Sequence, residues 1–172
     1  MKLFGYWRSS AAYRVRIALN LKNIDCEYVS VHLVKNGGEQ HNEEYVALNP
    51  THLVPTLIDE TVDGELVLNQ SMAILDYIDN QYTQAPLYPE NIYDKAQVQA
   101  IALDIACEIH PVNNLRIQQY LVKTLGVDEL DKSAWSHHWM RVGFTALEEK
   151  LKKVSGEFCY GDQITIADLC LV

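Results

Sequence analysis

The chain has 172 residues, 48% hydrophobic and 22% charged, a balance that argues against disorder, collagen-like repeats and low-complexity sequence and leaves room for one large domain or two small ones. Fourteen Lys and Arg against 23 Asp and Glu give a net charge of −9, which speaks against a polyanion such as duplex DNA as the main partner. No window reaches the ~18 apolar residues of a membrane span, and the start Met1-Lys2-Leu3-Phe4-Gly5-Tyr6 lacks an apolar signal region, so the expected compartment is the cytoplasm.

Residues 2–6 read as a short strand. Residues 10–22 read as a helix with Ala11, Val15, Ala18 and Leu19 on one face. Cys26 to Leu33 reads as a second strand, Gly37-Gly38 as a turn, and Asn42–Leu48 as a short helix that Asn49-Pro50 ends. Val54–Ile58 and Glu65–Leu68 read as strands joined by an Asp63-Gly64 turn, and Ser71–Asn80 as a helix. The order β-α-β-α-β-β-α makes residues 1–80 an α/β domain. Residues 81–91 contain Pro86 and Pro89 without periodicity and read as a linker. Helical patterns over about 92–122 and 132–154 then make 92–172 an all-α domain. Near the end, Thr165 reads as an N-cap and Asp168 as the reciprocal acid of a capping box, which accounts for Asp168 without a catalytic role. The chain stops at Val172, about one turn into that helix, and is expected to be part of something longer.

Cys26, Cys107, Cys159 and Cys170 form no Cys-x-x-Cys pair and no zinc spacing, so reduced thiols, buried or half-buried, are expected and no metal. Phosphate-binding glycine loops and the common hydrolase motifs are absent from the sequence.

Charge is unevenly placed. Residues 1–24 hold Lys2, Arg8, Arg14, Arg16 and Lys22 and no acid, so this segment carries +5 and the remainder −14. A site for a small anion and a chance cluster on a solvated face explain that count equally well. Within it, Arg8-Ser9-Ser10-Ala11-Ala12-Tyr13-Arg14-Val15-Arg16 lies where the first strand turns into the first helix. A helix start with serines and arginines and no acid suits a bound thiolate or carboxylate, because its free N–H groups are already positive. Val54-Pro55 precedes a strand, and a cis bond there fits a tight turn that leaves the Val54 backbone to a ligand. Gln70-Ser71 opens another helix with a hydroxyl and free N–H groups. Pro111 kinks a helical run, with His110, Asn113, Asn114 and Arg116 around it.

Together these residues resemble the zeta-class glutathione transferases. Their signature, Ser-Ser-Cys leading into Arg-Val-Arg-Ile-Ala-Leu, stands here as Ser9-Ser10-Ala11-Ala12-Tyr13-Arg14-Val15-Arg16-Ile17-Ala18-Leu19. The likeness continues through Asn49-Pro50, Val54-Pro55-Thr56-Leu57 and Gln70-Ser71 to the Gly161–Leu169 segment. The resemblance implies a thioredoxin-like N-terminal domain, a helical C-terminal domain that runs several tens of residues further, a homodimer, and glutathione as cofactor. It implies that Ser9 and Ser10 face the thiol, and that Ala11, Arg14, Gln40, Val54, Pro55, Gln70 and Ser71 bind the tripeptide. Arg8, Arg14, Arg16, His110, Asn114, Leu115 and Arg116 fall on the substrate side. The implied activity is glutathione-dependent cis–trans isomerisation of a small dicarboxylate enone, maleylacetoacetate, in tyrosine and phenylalanine breakdown. Maleylpyruvate isomerisation, general conjugation to glutathione, and a non-catalytic binding protein are the alternatives. Ala11 replaces the family's Cys, which leaves a one-thiol isomerisation intact and removes any role for a second, protein-borne thiol.

Overall fold

The structure is a computed structural model that describes residues 1–172, and it divides into two compact units, Met1–Leu87 and Tyr88–Leu171.

The first unit holds strands β1 (Lys2–Gly5), β2 (Glu27–Ser30), β3 (Thr56–Thr61) and β4 (Gly64–Asn69), with helices α1 (Ser10–Leu21), α2 (Glu43–Leu48) and α3 (Ser71–Gln81). The sheet order is β2-β1-β3-β4; β1 pairs parallel with β2 and antiparallel with β3, and β3 pairs antiparallel with β4. The parallel β1–β2 pair needs a crossover, which α1 supplies. β3 and β4 need only the two-residue turn Val62-Asp63, since Thr61 already faces Gly64. Leu3 and Leu57 bury one face of the sheet, with Ala12, Val15, Ala18 and Leu19 of α1 and Ile74, Leu75 and Ile78 of α3 buried alongside. Burial of this apolar area, at about 25 cal/mol per Å², is the main force that assembles the unit.

Lys22 closes the far end of this core. Its side chain is fully buried, and its Nζ lies 2.7 Å from Asp79 Oδ1 and 2.7–3.0 Å from the carbonyls of Tyr82, Gln84 and Ala85. Three ammonium protons thus serve four acceptors where α3 ends, and the charge is paired rather than offered to a ligand.

The second unit is helical: α4 (Ile92–Leu103), α5 (Leu115–Lys123), α6 (Glu129–Val154) and α7 (Ile166–Leu171). The run expected over 92–122 is not one helix. It widens into a π-helical segment, Asp104–Ile109, and narrows to a 3-10 turn at Pro111–Asn113 before α5 begins. Two local causes are visible. Pro111 lacks an N–H, and the His110 N–H reaches back to Ile105 rather than one residue less. Gly143 of α6 lets this wide turn come close, because a Cβ there would sit 2.4 Å from Ile109 Cγ1. The acid's half of the capping box at the start of α7 is present: Asp168 Oδ2 accepts from the Thr165 N–H at 2.8 Å and from the Thr165 hydroxyl at 2.9 Å, so that hydroxyl serves the carboxylate rather than the Asp168 N–H, while Oδ1 accepts from the Cys159 N–H at 2.7 Å. All four cysteines are free; Cys159 and Cys170 are buried and Cys26 half-buried, but Cys107, expected to be at least half-buried, is exposed. No helix is long and apolar enough to cross a membrane.

Candidate active site

Strand register gathers the candidate residues of the first unit. Gly5 at the end of β1 faces Ser30 at the end of β2; Phe4 faces Thr56 at the start of β3; Thr56 faces Asn69 at the end of β4. The start of α1, the loop after β2, the Val54-Pro55 segment and the start of α3 therefore all lie at the same end of the sheet. Ser9, Ser10, Ala11, Gln40, Val54, Pro55, Gln70 and Ser71 are brought together there.

Ser9 is the N-cap of α1, with extended backbone, and its Oγ accepts from the Ala12 N–H at 3.2 Å. Capping and thiol activation do not compete. A serine oxygen has two lone pairs and one proton, and the cap uses a lone pair, so the O–H is left to donate. The Ser10 and Ala11 N–H groups are the remaining open donors of that turn. Ser9 is half-buried and Ser10 exposed.

The peptide bond between Val54 and Pro55 is cis, as the sequence leads one to expect. The β ladder begins only at Thr56, so the N–H and C=O of Val54 are not committed to it. A buried polar network holds the loop just before. Thr56 Oγ1 lies 3.0 Å from Tyr45 Oη, accepts from Asn49 Nδ2 at 3.3 Å and donates to Asn69 Oδ1 at 2.8 Å. Tyr45 Oη and Asn49 Nδ2 both donate to the Leu53 carbonyl, at 2.6 and 2.8 Å. Burial raises the Tyr45 hydroxyl above its ordinary range, although the Thr56 and Asn49 contacts pull it the other way, so it stays a donor at neutral pH. Tyr45, Asn49 and Thr56 thus position Val54, and sequence reasoning missed that role for all three. Asn49-Pro50 and Thr56 lie inside the motifs, but nothing in their spacing reveals a shared buried oxygen.

Gln70 precedes α3 with φ 73°, a left-handed backbone that non-glycine residues seldom adopt and that clusters at functional sites. Its side chain is exposed and makes no cap bond. Ser71 beside it is buried, and Arg14 Nη1 donates to its Oγ at 3.4 Å.

The basic segment is not one site. Lys2 pairs with Glu27 at 3.7 Å and Lys22 with Asp79. Arg14 is 2% exposed and reaches Ser71 and the Met72 sulfur. The Arg16 guanidinium lies over the rings of Tyr13 and Tyr28 and donates to the Trp7 carbonyl at 3.3 Å. Arg14 and Arg16, expected to meet substrate carboxylates, are turned into the framework by these contacts. Arg8 is exposed, stacked 5.6 Å from the Trp7 ring centroid. Gln40 is buried, and its Nε2 faces the Leu33 carbonyl at 3.3 Å and His41 Nε2 at 3.1 Å.

His110, Asn114, Leu115 and Arg116 belong to the second unit. Asn114 is the N-cap of α5, its Oδ1 accepting from the Arg116 N–H at 3.2 Å. Leu115 is the first residue of that helix and half-buried, His110 is half-buried at the end of the π-helical segment, and Arg116 is exposed. π-helical turns recur at functional sites.

Comparison with known proteins agrees with this geometry. The sequence profile of the family described as "Glutathione S-transferase, N-terminal domain" matches residues 1–80. A probable maleylacetoacetate isomerase of Vibrio cholerae is 54% identical over 170 residues, 99% of this chain and 77% of that protein. A maleylpyruvate isomerase of a Ralstonia species is 43% identical over 175 residues, covering 100% of this chain and 79% of that protein. Among solved structures, maleylacetoacetate isomerase of Methylobacterium extorquens AM1, with malonate and glutathione bound, superposes with a TM-score of 0.92 at 39% identity, covering 99% of this chain and 78% of that one.

Proposed function

This chain belongs to the zeta-class glutathione transferases, and from that premise we propose that it is a glutathione-dependent isomerase that converts maleylacetoacetate to fumarylacetoacetate. The observation that carries the reading is Ser9, which caps α1 through a lone pair and keeps its proton at the end of the sheet where Val54 and Ser71 also lie.

The residues present fit glutathione. Two helix starts supply N–H groups for anions, and an uncommitted stretch of backbone at Val54 suits a peptide. Ser9 donates its proton to the thiolate, and Ser10 and Ala11 add backbone N–H groups. Val54 pairs with the cysteinyl backbone beside Pro55, and Gln70 and Ser71 hold the γ-glutamyl carboxylate. Arg14 supports Ser71 from behind, and Gln40 braces the loop on the opposite flank. When bound, glutathione would supply one thiolate that adds to the cis double bond and leaves after rotation about the resulting single bond, so the thiolate is regenerated and all atoms balance. Ala11 is consistent with this, since no second thiol is required. A substrate with two carboxylates suits exposed guanidinium groups, and Arg8 is the candidate for one of them. In the second unit, His110 and Arg116 are the candidate substrate contacts; Asn114 and Leu115 shape the start of α5 around them. The family resemblance further supports a homodimer acting in the cytoplasm in tyrosine and phenylalanine breakdown.

The test is turnover of purified protein with maleylacetoacetate and glutathione. Isomerisation without net loss of glutathione supports the reading. Stoichiometric loss of glutathione identifies a conjugating transferase instead, and faster turnover of maleylpyruvate identifies the related isomerase.

A further inference from the structure

Trp135 of α6 plays no part in the reading above, yet it reaches the turn that separates the two candidate substrate contacts, His110 and Arg116. Its indole Nε1 donates to the Val112 carbonyl at 2.9 Å. That carbonyl needs a donor from elsewhere. In a continuous helix the Arg116 N–H, four residues on, would reach it. Here Asn114 is extended, with ψ 149°, and the Arg116 N–H goes to Asn114 Oδ1 instead. The Asn114 N–H goes to the Pro111 carbonyl, and those of Ile117 and Gln118 go to the Asn114 carbonyl. The backbone ladder thus passes over Val112, which is half-buried, and the indole supplies what the ladder does not.

The rest of α6 holds the flanking segments. Gly143 admits Ile109 of the π-helical segment, Lys150 pairs with Asp104 at the start of that segment, and Ser136 accepts from Gln118 of α5 at 2.8 Å. Trp135 is itself braced, its ring edge-on to Trp139 with centroids 5.8 Å apart. One 26-residue helix therefore backs the wide turn, the 3-10 turn and α5, and Trp135 is its hold on the 3-10 turn. We propose, resting on the isomerase reading above, that Trp135 is a positioning residue for the dicarboxylate substrate. Through the Val112 carbonyl it fixes the turn whose two ends carry His110 and Arg116, and so sets the spacing at which those side chains meet the substrate. The indole acts through the turn and not on the substrate. Without its N–H, the Val112 carbonyl turns to water and the turn takes several arrangements, which the substrate must then order on binding. That cost falls on the dicarboxylate and spares glutathione, whose proposed contacts belong to the first unit.

The experiment is the isomerisation assay on Trp135→Phe, which keeps an aromatic ring and removes the donor. KM for maleylacetoacetate is expected to rise about fivefold, the scale of one hydrogen bond, while kcat and KM for glutathione stay within about twofold. Ser136→Ala removes the neighbouring tie between α5 and α6 without touching the turn, and it should leave both KM values unchanged. If Trp135→Phe does not fold, benzothienylalanine at position 135, with sulfur where indole has its N–H and the same ring shape, removes the donor alone and carries the test. An unchanged KM for maleylacetoacetate in the folded variant overturns the proposal, as does an equal rise in KM for glutathione or an equal effect of Ser136→Ala. Calorimetric titration with succinate, an unreactive dicarboxylate, in the presence of glutathione keeps this apart from the isomerase reading. Succinate binding without isomerisation defeats that reading alone, because a fivefold loss of succinate affinity in Trp135→Phe, or none, still decides the role of Trp135. A chain that neither isomerises maleylacetoacetate nor binds succinate overturns both.

Discussion

Arg14 Nη1 lies 3.4 Å from Ser71 Oγ and links the second turn of α1 to the first residue of α3, the two helix starts of the proposed site. Because Arg14 donates, Ser71 accepts and keeps its own proton, just as Ser9 keeps its proton while accepting from the Ala12 N–H. Both serines are held by the protein as acceptors, and in the proposed site their hydroxyl protons are left to donate. Arg14→Lys keeps a cation but loses the fork geometry. It is expected to raise KM for glutathione about tenfold, with kcat much less affected, as fits the loss of about 1.5 kcal/mol of positioning. Steady-state kinetics check this, and an equal fall in kcat and kcat/KM would place Arg14 in the chemistry instead.

Ser9→Ala is expected to cost about 1.5–3 kcal/mol in kcat/KM by removing a hydrogen bond to a charged sulfur. It also removes a cap worth about 1 kcal/mol of stability. Ser9→Asp separates the two roles, since it restores the cap while offering no proton at neutral pH. Melting temperature should recover in that variant and activity should not. Ser10→Ala, at an exposed position, should change kcat/KM less than Ser9→Ala. Full activity in both alanine variants would reduce the serines to caps.

Lys22→Met should destabilise the chain by about 3–5 kcal/mol, because Asp79 and the carbonyls after α3 are left buried without their cation. Denaturant unfolding reads this directly. A loss under about 1 kcal/mol would mean that water replaces the ammonium easily.

Gly143→Ala should destabilise by about 1–3 kcal/mol through overpacking against Ile109. Ile109→Val in the same chain should return part of that loss, and purely additive effects would show that the two residues do not meet.

Thiol reactivity follows burial and charge. Burial, then the hydrogen bond and charge of Asp168, push the Cys159 thiol up to about 12 from 9.0. The folded state therefore favours the neutral thiol; this contribution is full below pH ~9 and fades as pH rises toward ~12. Burial likewise raises Cys26. At pH 8 a thiol reagent should modify exposed Cys107 first and leave Cys159 intact until unfolding. Rapid modification of Cys159 in the folded chain would contradict its placement.

Much of the first unit was legible in the sequence. Apolar period and turn residues locate β1, α1, the β3–β4 pair and α3, and the motifs at Ser9, Val54-Pro55 and Gln70-Ser71 fall where the register joins them. Counting charge left the basic segment open between an anion site and a solvated face, for a physical reason. Charge counting cannot tell Lys22, whose partner Asp79 is far along the chain, from exposed Arg8. The run over 92–122 is interrupted at Pro111, as its sequence leads one to expect, but the π-helical turn before it was not legible, because an apolar stripe persists through such a turn. Asn114 read as a polar group near a kink, and the backbone gives it a cap to make. The network of Tyr45, Asn49 and Thr56 and the bond from Trp135 to the Val112 carbonyl depend on tertiary approach that no local spacing encodes.

Central to this account is that α1 holds the thiol of glutathione as a thiolate at Ser9. Ultraviolet difference titration of glutathione bound to the full chain measures this directly. The account predicts ionisation well below the ~8.5 of a free thiol, in the range of about 3.5–7.5 seen at helix starts with nearby cations, and a clear rise in Ser9→Ala. A bound thiol that titrates like free glutathione, unchanged by Ser9→Ala, would contradict it.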